Sequence, residues 1–263
     1  MIDIKRNLIL FSILIISCIL TNTASAENQV FSWYCKRNSK HNQPVLDQQM
    51  VDFQNYDLFW CDQNHKNMSD DEKVIYLTFD AGYENGNIWK ILEILEKENV
   101  NVTFFILDNL INKNKDIVNK MINDGHLVAN HTMRHKDMTK IQSKDDFKKE
   151  LEDLENLYKD TFNQEMPKFY RPPEGKFNLN NLVWAKELGY KTVMWSFAYA
   201  DWDNGKQPSH EYAINKIMEN IHNGEVMLLH PTSKTNAEIL PQIIRNLKEQ
   251  GFRFGTVDEL CKK

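Results

Sequence analysis

The chain has 263 residues, 41% hydrophobic and 26% charged, with a formal net charge of -5. That size and composition suit one α/β barrel or two smaller domains with a full core, and they exclude a disordered or fibrous chain. Lysines and acids alternate along the charged stretches, which read as solvated helix faces and not as the concentrated basic face that a nucleic-acid partner requires.

In chain order, Lys5 and Arg6 precede an apolar run over residues 8–20, and Ala24-Ser25-Ala26 then supplies a small-x-small cleavage pattern. This predicts a signal peptide over residues 1–26, export, and a mature chain starting near Glu27. The competing reading, a retained membrane anchor, is opposed by a run shorter than the roughly 20 apolar residues that span a bilayer. Residues 27–70 carry no repeat and are expected to be an extension packed on the domain that follows. Cys18 falls in the apolar run, which leaves Cys35, Cys61 and Cys261. In an oxidising compartment a Cys35–Cys61 disulfide would pin the extension if the two Cα atoms approach within about 7 Å. Cys261 reads as a small buried side chain, and no cysteine reads as a nucleophile or metal ligand.

From Val74 onward short β-rich runs alternate with helical stretches. Strands are predicted at 74–80, 102–107, 126–130, 168–170, 191–196, 226–229 and 252–257. Helices are predicted at 88–98, 115–124, from a Ser143 cap to about 162, 179–188 closed by Gly189, 211–222, and 238–250 stopped by Gly251. Such alternation calls for a parallel sheet, as a barrel or a doubly wound sheet.

Short polar motifs sit at the downstream ends of these strands: Thr78-Phe79-Asp80, His131-Thr132-Met133-Arg134-His135, Arg171-Pro172-Pro173, Asp201-Trp202 and Leu229-His230. Loops at the C-terminal ends of barrel strands converge on one face, so the co-location points to one site. Together the motifs hold a carboxylate, a histidine pair, a fixed cation and a separate histidine, the inventory of a metal-assisted hydrolase. His131 and His135, four apart, are expected on a helical turn with both rings within about 2.0–2.1 Å of one ion. Asp80 ends an apolar strand where a carboxylate is costly, and a general base fits that position. Arg171 would keep it ionised, with the prolines fixing the turn, although taken alone Arg171 reads equally as a structural ion pair. His230 would be the acid that protonates a leaving amine, with its pKa raised by Asp201. Trp184, Trp195 and Trp202 offer flat surfaces for a sugar ring, and at least two of them are expected in the core.

This ordered set resembles the motifs of the polysaccharide deacetylases, the NodB homology domain of carbohydrate esterase family 4, from about Val74 to the C-terminus. The phrase at 79–86, Phe-Asp-Ala-Gly-Tyr-Glu-Asn-Gly, with the aromatic extension before it, is most similar to the delta-lactam-biosynthetic de-N-acetylases of spore-forming bacteria. The resemblance implies an α/β fold, a distorted (β/α) barrel of about seven parallel strands over residues 71–263. It implies a divalent metal, commonly Zn2+, on His131 and His135, with Asp80 as base, Arg171 orienting it, His230 as acid and Asp201 tuning it. Tyr83, Pro172, Lys176 and Trp202 would meet the substrate. That substrate would be N-acetylmuramic acid in a peptidoglycan glycan strand already stripped of stem peptide by an amidase, on the route to muramic delta-lactam of spore cortex, outside the cytoplasm.

One position departs from the broad family, where a metal-binding aspartate usually follows the base: here it is Ala81. The ion would then be weakly held by two histidines, waters and substrate. Removing that anion, with Lys176 beside the Arg-Pro-Pro turn, would suit the lactyl carboxylate of a muramyl sugar, since a poorly solvated like charge costs of order several kcal/mol. The alternatives are a deacetylase of N-acetylglucosamine in peptidoglycan or a chitin-like polymer, and a non-catalytic wall-binding protein that retains the barrel.

Overall fold

Nine residues of alternating side-chain direction, Lys73–Ala81, form the central strand β3 of the computed structural model, which describes residues 29–36 and 40–262. The predicted signal peptide lies outside the described residues. In chain order the elements are β1 (Phe31–Ser32), α1 (Gln48–Val51), β2 (Leu58–Phe59), β3, α2 (Ile88–Glu98), β4 (Thr103–Ile106), α3 (Asp108–Lys113), α4 (Lys115–Asn123) and β5 (Leu127–Asn130). There follow α5 (Lys144–Phe162), β6 (Phe169–Tyr170), β7 (Lys176–Phe177), α6 (Leu179–Glu187), β8 (Lys191–Val193), α7 (His210–Met218), β9 (Glu225–Leu229), α8 (Lys234–Glu249), β10 (Phe252–Phe254) and α9 (Val257–Leu260).

The main sheet has 8 strands in the order β10-β3-β4-β5-β6-β8-β2, with β9 also on β3. Every pair in it is parallel. Past β8 the chain bridges back to β9 through Phe197 and Met227, so β3, β4, β5, β6, β8 and β9 close into a distorted barrel. This is the α/β barrel that the motif order implied. The strand added to the predicted set is β2, which the N-terminal extension contributes beside β8. The extension also places β1 antiparallel on β7 and packs Trp33, Leu46, Met50, Phe53 and Trp60 against Phe177, Leu182 and Met194. Cys35 and Cys61 lie in this cluster as thiols, each donating to a backbone carbonyl, so the disulfide that the sequence left open is not formed.

Period-two alternation along β3 sorts its residues by face. Ile75, Leu77, Phe79 and Ala81 pack under the helices. Val74 and Tyr76 belong to the barrel interior with Phe105, Ala129, Val193 and Val226. Thr78 and Asp80 continue that inner row upward. Helix starts follow local chemistry: Ser143 accepts from Asp146 N–H, and Gly189 and Gly251 end their helices at φ 81° and 83°. Helices α1, α3 and α9 are additional to the predicted set, and two of the predicted helices have other bounds than expected. Helix α8 begins at Lys234 instead of 238, because Ser233 caps it and it runs through Pro241. Helix α7 stops at Met218 instead of 222, where the Asn220 amide takes the Lys216 carbonyl at 2.8 Å. Among the described residues no helix is long and apolar enough to cross a membrane.

Candidate active site

The C-terminal ends of the barrel strands surround a cavity of about 730 Å³, lined among others by Asp80, Tyr83, His131, His135, Glu174, Trp195, Tyr199, Trp202 and His230. Asp80 stands at the top of β3, the histidine pair follows β5, Glu174 follows β6, and His230 follows β9. Arg171 and Asp201 stand behind the lining, each bound to a residue that faces the cavity.

Arg171 is fully buried, which a guanidinium tolerates only when its donors are satisfied. Its Nη1 donates to Asp80 Oδ1 at 2.8 Å and to Thr78 Oγ1 at 2.9 Å, and its Nε donates to the Val193 carbonyl at 3.0 Å. The Phe105 ring lies 4.1 Å below the guanidinium carbon. Burial acts to raise the Asp80 carboxyl, but the charges of His131, Arg171 and His230 outweigh it, and Asp80 lies below the usual carboxylate range. Asp80 is therefore an ionised carboxylate held in a fixed plane.

The histidine pair is not on a helical turn. Residues 131–135 form a loop in which Thr132 and His135 have positive φ, 74° and 56°. Side chains impose this shape: Asn130 Oδ1 accepts from Thr132 N–H at 2.8 Å, and Thr132 Oγ1 accepts from His135 N–H at 2.9 Å. The loop still brings both rings to the cavity, with centroids 5.1 Å apart. His131 Nδ1 donates to the Arg171 carbonyl at 2.8 Å, which leaves the Nε2 lone pair directed away, 3.6 Å from Asp80 Oδ2. Burial pushes the His131 imidazole down to about 4, against the pull of Asp80, so it is neutral near pH 7.

A neutral imidazole with a carbonyl on Nδ1 is the form that ligates a metal through Nε2. The donor set stops there: Ala81 is fully buried among the helix-facing apolar residues, and among the described residues no three histidine, cysteine or acidic side chains are grouped to hold an ion. The residues fit an ion held through His131 and His135, with further positions left to water and substrate.

On the opposite wall, His230 Nδ1 donates to Asp201 Oδ1 at 2.7 Å, and the His230 backbone N–H donates to Oδ2 at 2.8 Å. Burial would lower this imidazole, but the hydrogen bond and charge of Asp201, helped by Asp80, outweigh it and raise His230 above its ordinary range.

Trp202 is 60% exposed, with its ring edge-on to His230 at 6.1 Å, and Tyr83 is 45% exposed with its hydroxyl accepting from Asn204 Nδ2 at 2.7 Å. Trp195 also lines the cavity, whereas Trp184 packs on Phe147. The structure does not bring Pro172 or Lys176 to the lining: Pro172 is buried in the turn, and Lys176 pairs with Glu174 at 2.5 Å. Glu174 is the residue of that turn that reaches the cavity, and sequence reading missed it together with Tyr199 and Thr232. The available signal was position: Glu174 follows the Arg-Pro-Pro turn, and Tyr199 precedes Asp201 in the segment after β8.

The fold agrees with the comparisons. The polysaccharide deacetylase family matches residues 67–193. The chain belongs to that family, the hydrolases that act on N-acetyl groups of polysaccharides. Within it, the chain is 36% identical over 235 residues to the peptidoglycan-N-acetylmuramic acid deacetylase PdaA of Bacillus subtilis, covering 89% of this chain and 86% of that protein. The solved structure of PdaA, a family 4 carbohydrate esterase, superposes with a TM-score of 0.82 at 34% identity, covering 89% of this chain and 97% of that one. A family 4 carbohydrate esterase from Bacillus anthracis gives 0.72 at 33% identity, with 89% and 96% covered. A peptidoglycan-N-acetylglucosamine deacetylase of Bacillus cereus is 31% identical over 196 residues, 73% of this chain and 89% of that protein.

Proposed function

We propose that this chain is an exported hydrolase that removes the acetyl group from N-acetylmuramic acid in stem-peptide-free peptidoglycan, on the route to muramic delta-lactam of spore cortex. The observation that carries the chemistry is that Asp80 and His230 line one cavity, each held by a buried partner of opposite sign, Arg171 and Asp201. The muramyl substrate rests on the similarity to PdaA.

In this reading the acetamide lies between the two walls. Asp80, ionised at neutral pH, takes the proton of the attacking water as its oxygen bonds to the acetyl carbon. His230, charged through Asp201, gives its proton to the nitrogen as the carbon–nitrogen bond breaks, releasing acetate and a free amino sugar. His131 and His135 would hold a divalent cation such as Zn2+, which would supply Lewis-acid chemistry to the site. Trp202 and Tyr83, exposed at the rim, give the sugar ring apolar faces.

Glu174 favours a second reading. An acidic side chain in the lining disfavours a sugar with a lactyl carboxylate, and it suits a glycan deacetylated at N-acetylglucosamine, the substrate named for the Bacillus cereus relative. Purified residues 27–263 would be incubated with muramidase-digested glycan, stem-free and intact, with zinc and with chelator, and the products read by mass spectrometry. Loss of acetyl mass from muramic acid of stem-free glycan, absent in chelator and in Asp80→Ala, is expected. Loss from glucosamine alone moves the assignment to the second reading, and no loss under any metal overturns both.

A further inference from the structure

Behind the His230–Asp201 pair lies a hydrogen-bond chain that the proposed chemistry does not use. Asn236, buried in the first turn of α8, donates from Nδ2 to Asp201 Oδ2 at 2.6 Å and to the His230 carbonyl at 3.1 Å. Its Oδ1 accepts from the hydroxyl of Tyr199, whose side chain lines the cavity. An ionised carboxylate only accepts, so the atom of Asn236 nearest Asp201 must be the amide nitrogen. That orientation leaves the amide oxygen inward, where it requires a donor, and Tyr199 is the donor present. Ser233 fixes the backbone of Asn236 by accepting its N–H at 3.1 Å.

We propose that Tyr199 and Asn236 form a positioning relay that locks the Asp201 carboxylate in the plane of the His230 ring and so sets the proton affinity of His230. Asp201 Oδ2 is occupied by the Asn236 amide and the His230 backbone N–H, which leaves Oδ1 to the imidazole Nδ1. Without Asn236, only His230's own two N–H groups, among the described residues, hold the carboxylate, and it can rotate off the ring. Tyr199 acts one step further back, by preventing the amide from turning its oxygen toward Asp201. The charged groups that face His230 are Asp201, Asp80 from β3 and Arg171 from the turn after β6, and neither substitution below touches the last two.

The relay rests on the reading of His230 as the proton donor, and its test separates the two. The His230 imidazole would be titrated by NMR, without substrate, in the wild-type chain, Asn236→Ala, Tyr199→Phe and the double variant. The pH dependence of kcat and KM on N-acetylated glycan would be measured in parallel. Asn236→Ala is expected to move the His230 titration down by about one pH unit and to lower kcat about tenfold with KM nearly unchanged, shifting the basic limb of the profile to lower pH. Tyr199→Phe, which keeps the ring in the wall, is expected to move both in the same direction by less. In the double variant the tyrosine change should add nothing, because its effect passes through the amide. A titration unmoved in both single variants, or strictly additive effects, overturns the relay. If Asn236→Ala fails to fold, the Tyr199→Phe titration alone decides. A shifted titration in a chain with no turnover on any glycan supports the relay and overturns the deacetylase reading.

Discussion

His131 and His230 face the same cavity, and their proton affinities are driven in opposite directions. Both are largely withdrawn from water, and both use Nδ1 as a donor to a buried oxygen. The oxygen on His131 is the neutral carbonyl of Arg171; the oxygen on His230 is the carboxylate of Asp201. Burial therefore prevails at His131, which falls to about 4, and is overcome at His230, which rises. The charge on one acceptor atom separates an imidazole held neutral near pH 7 from one that holds its proton more tightly than usual. The same logic with signs reversed applies to Asp80, whose partner is a guanidinium that stays charged.

The largest expected effect breaks the Asp80 side. Asp80→Asn keeps the shape but cannot take a proton, and turnover should fall by about 10²–10⁴-fold with substrate binding retained. It also leaves Arg171 as a buried cation without its carboxylate, so the variant should melt lower than the wild type. In the wild type the sign follows from the lowered carboxyl: its contribution to stability is present above the unfolded pKa of about 3.9 and is lost as pH falls through the still lower folded value. Thermal melts of both chains between about pH 3 and pH 7 should converge at the acid end. A loss of turnover below tenfold would show that Asp80 is not the base.

Next in size, Asp201→Asn tests the comparison directly, because it gives His230 the neutral acceptor that His131 has. The His230 titration should drop to or below the usual imidazole value of about 6.5, and turnover at neutral pH should fall roughly 10–100-fold. In the wild type the raised imidazole contributes stability that is complete below about pH 6.5 and is lost as pH rises through its folded pKa; that dependence should vanish in the variant. An unchanged basic limb of the rate profile would mean that the acid is some other group.

How far the site could be read from sequence tracks how local each contact is. Asp80, Arg171 and His230 stood out because a charged residue at the end of an apolar run is costly unless it is used. The histidine pair was visible by spacing, yet the expected helical turn is a loop held by Asn130 and Thr132 side chains, a competition that spacing does not reveal. Asn236 was not visible, since a buried asparagine in a capped first turn looks like any capping residue until tertiary structure brings Asp201 to it. The strands β1, β2 and β7 have 2 residues each and exist only through their partners, so no local pattern marks them. The barrel itself was legible because its alternation repeats from β3 to β10.

The smallest predicted effect concerns how the rim reads charge, and it decides between the two substrate readings. Glu174 has φ 56°, and Gly175 after it has φ 63° with no room for a Cβ, which would stand 2.7 Å from the Trp195 ring. The Trp33 backbone N–H holds the Gly175 carbonyl at 2.8 Å, so the N-terminal extension clamps the turn that carries Glu174 into the cavity. Lys176 answers Glu174 from outside the lining. A lactyl carboxylate at this rim would meet both charges, and the net preference is a small difference between them. Glu174→Gln should lower KM for a muramyl glycan about two- to fivefold and leave a glucosaminyl glycan unchanged, while Lys176→Ala should do the reverse. Because Glu174 is exposed and Lys176 half-buried, the differences should shrink as ionic strength rises toward about 1 M, where the screening length is about 3 Å. If Glu174→Gln instead weakens both substrates equally, the carboxylate is binding sugar hydroxyls common to the two glycans, and the choice between muramyl and glucosaminyl substrates is not made by this pair of charges.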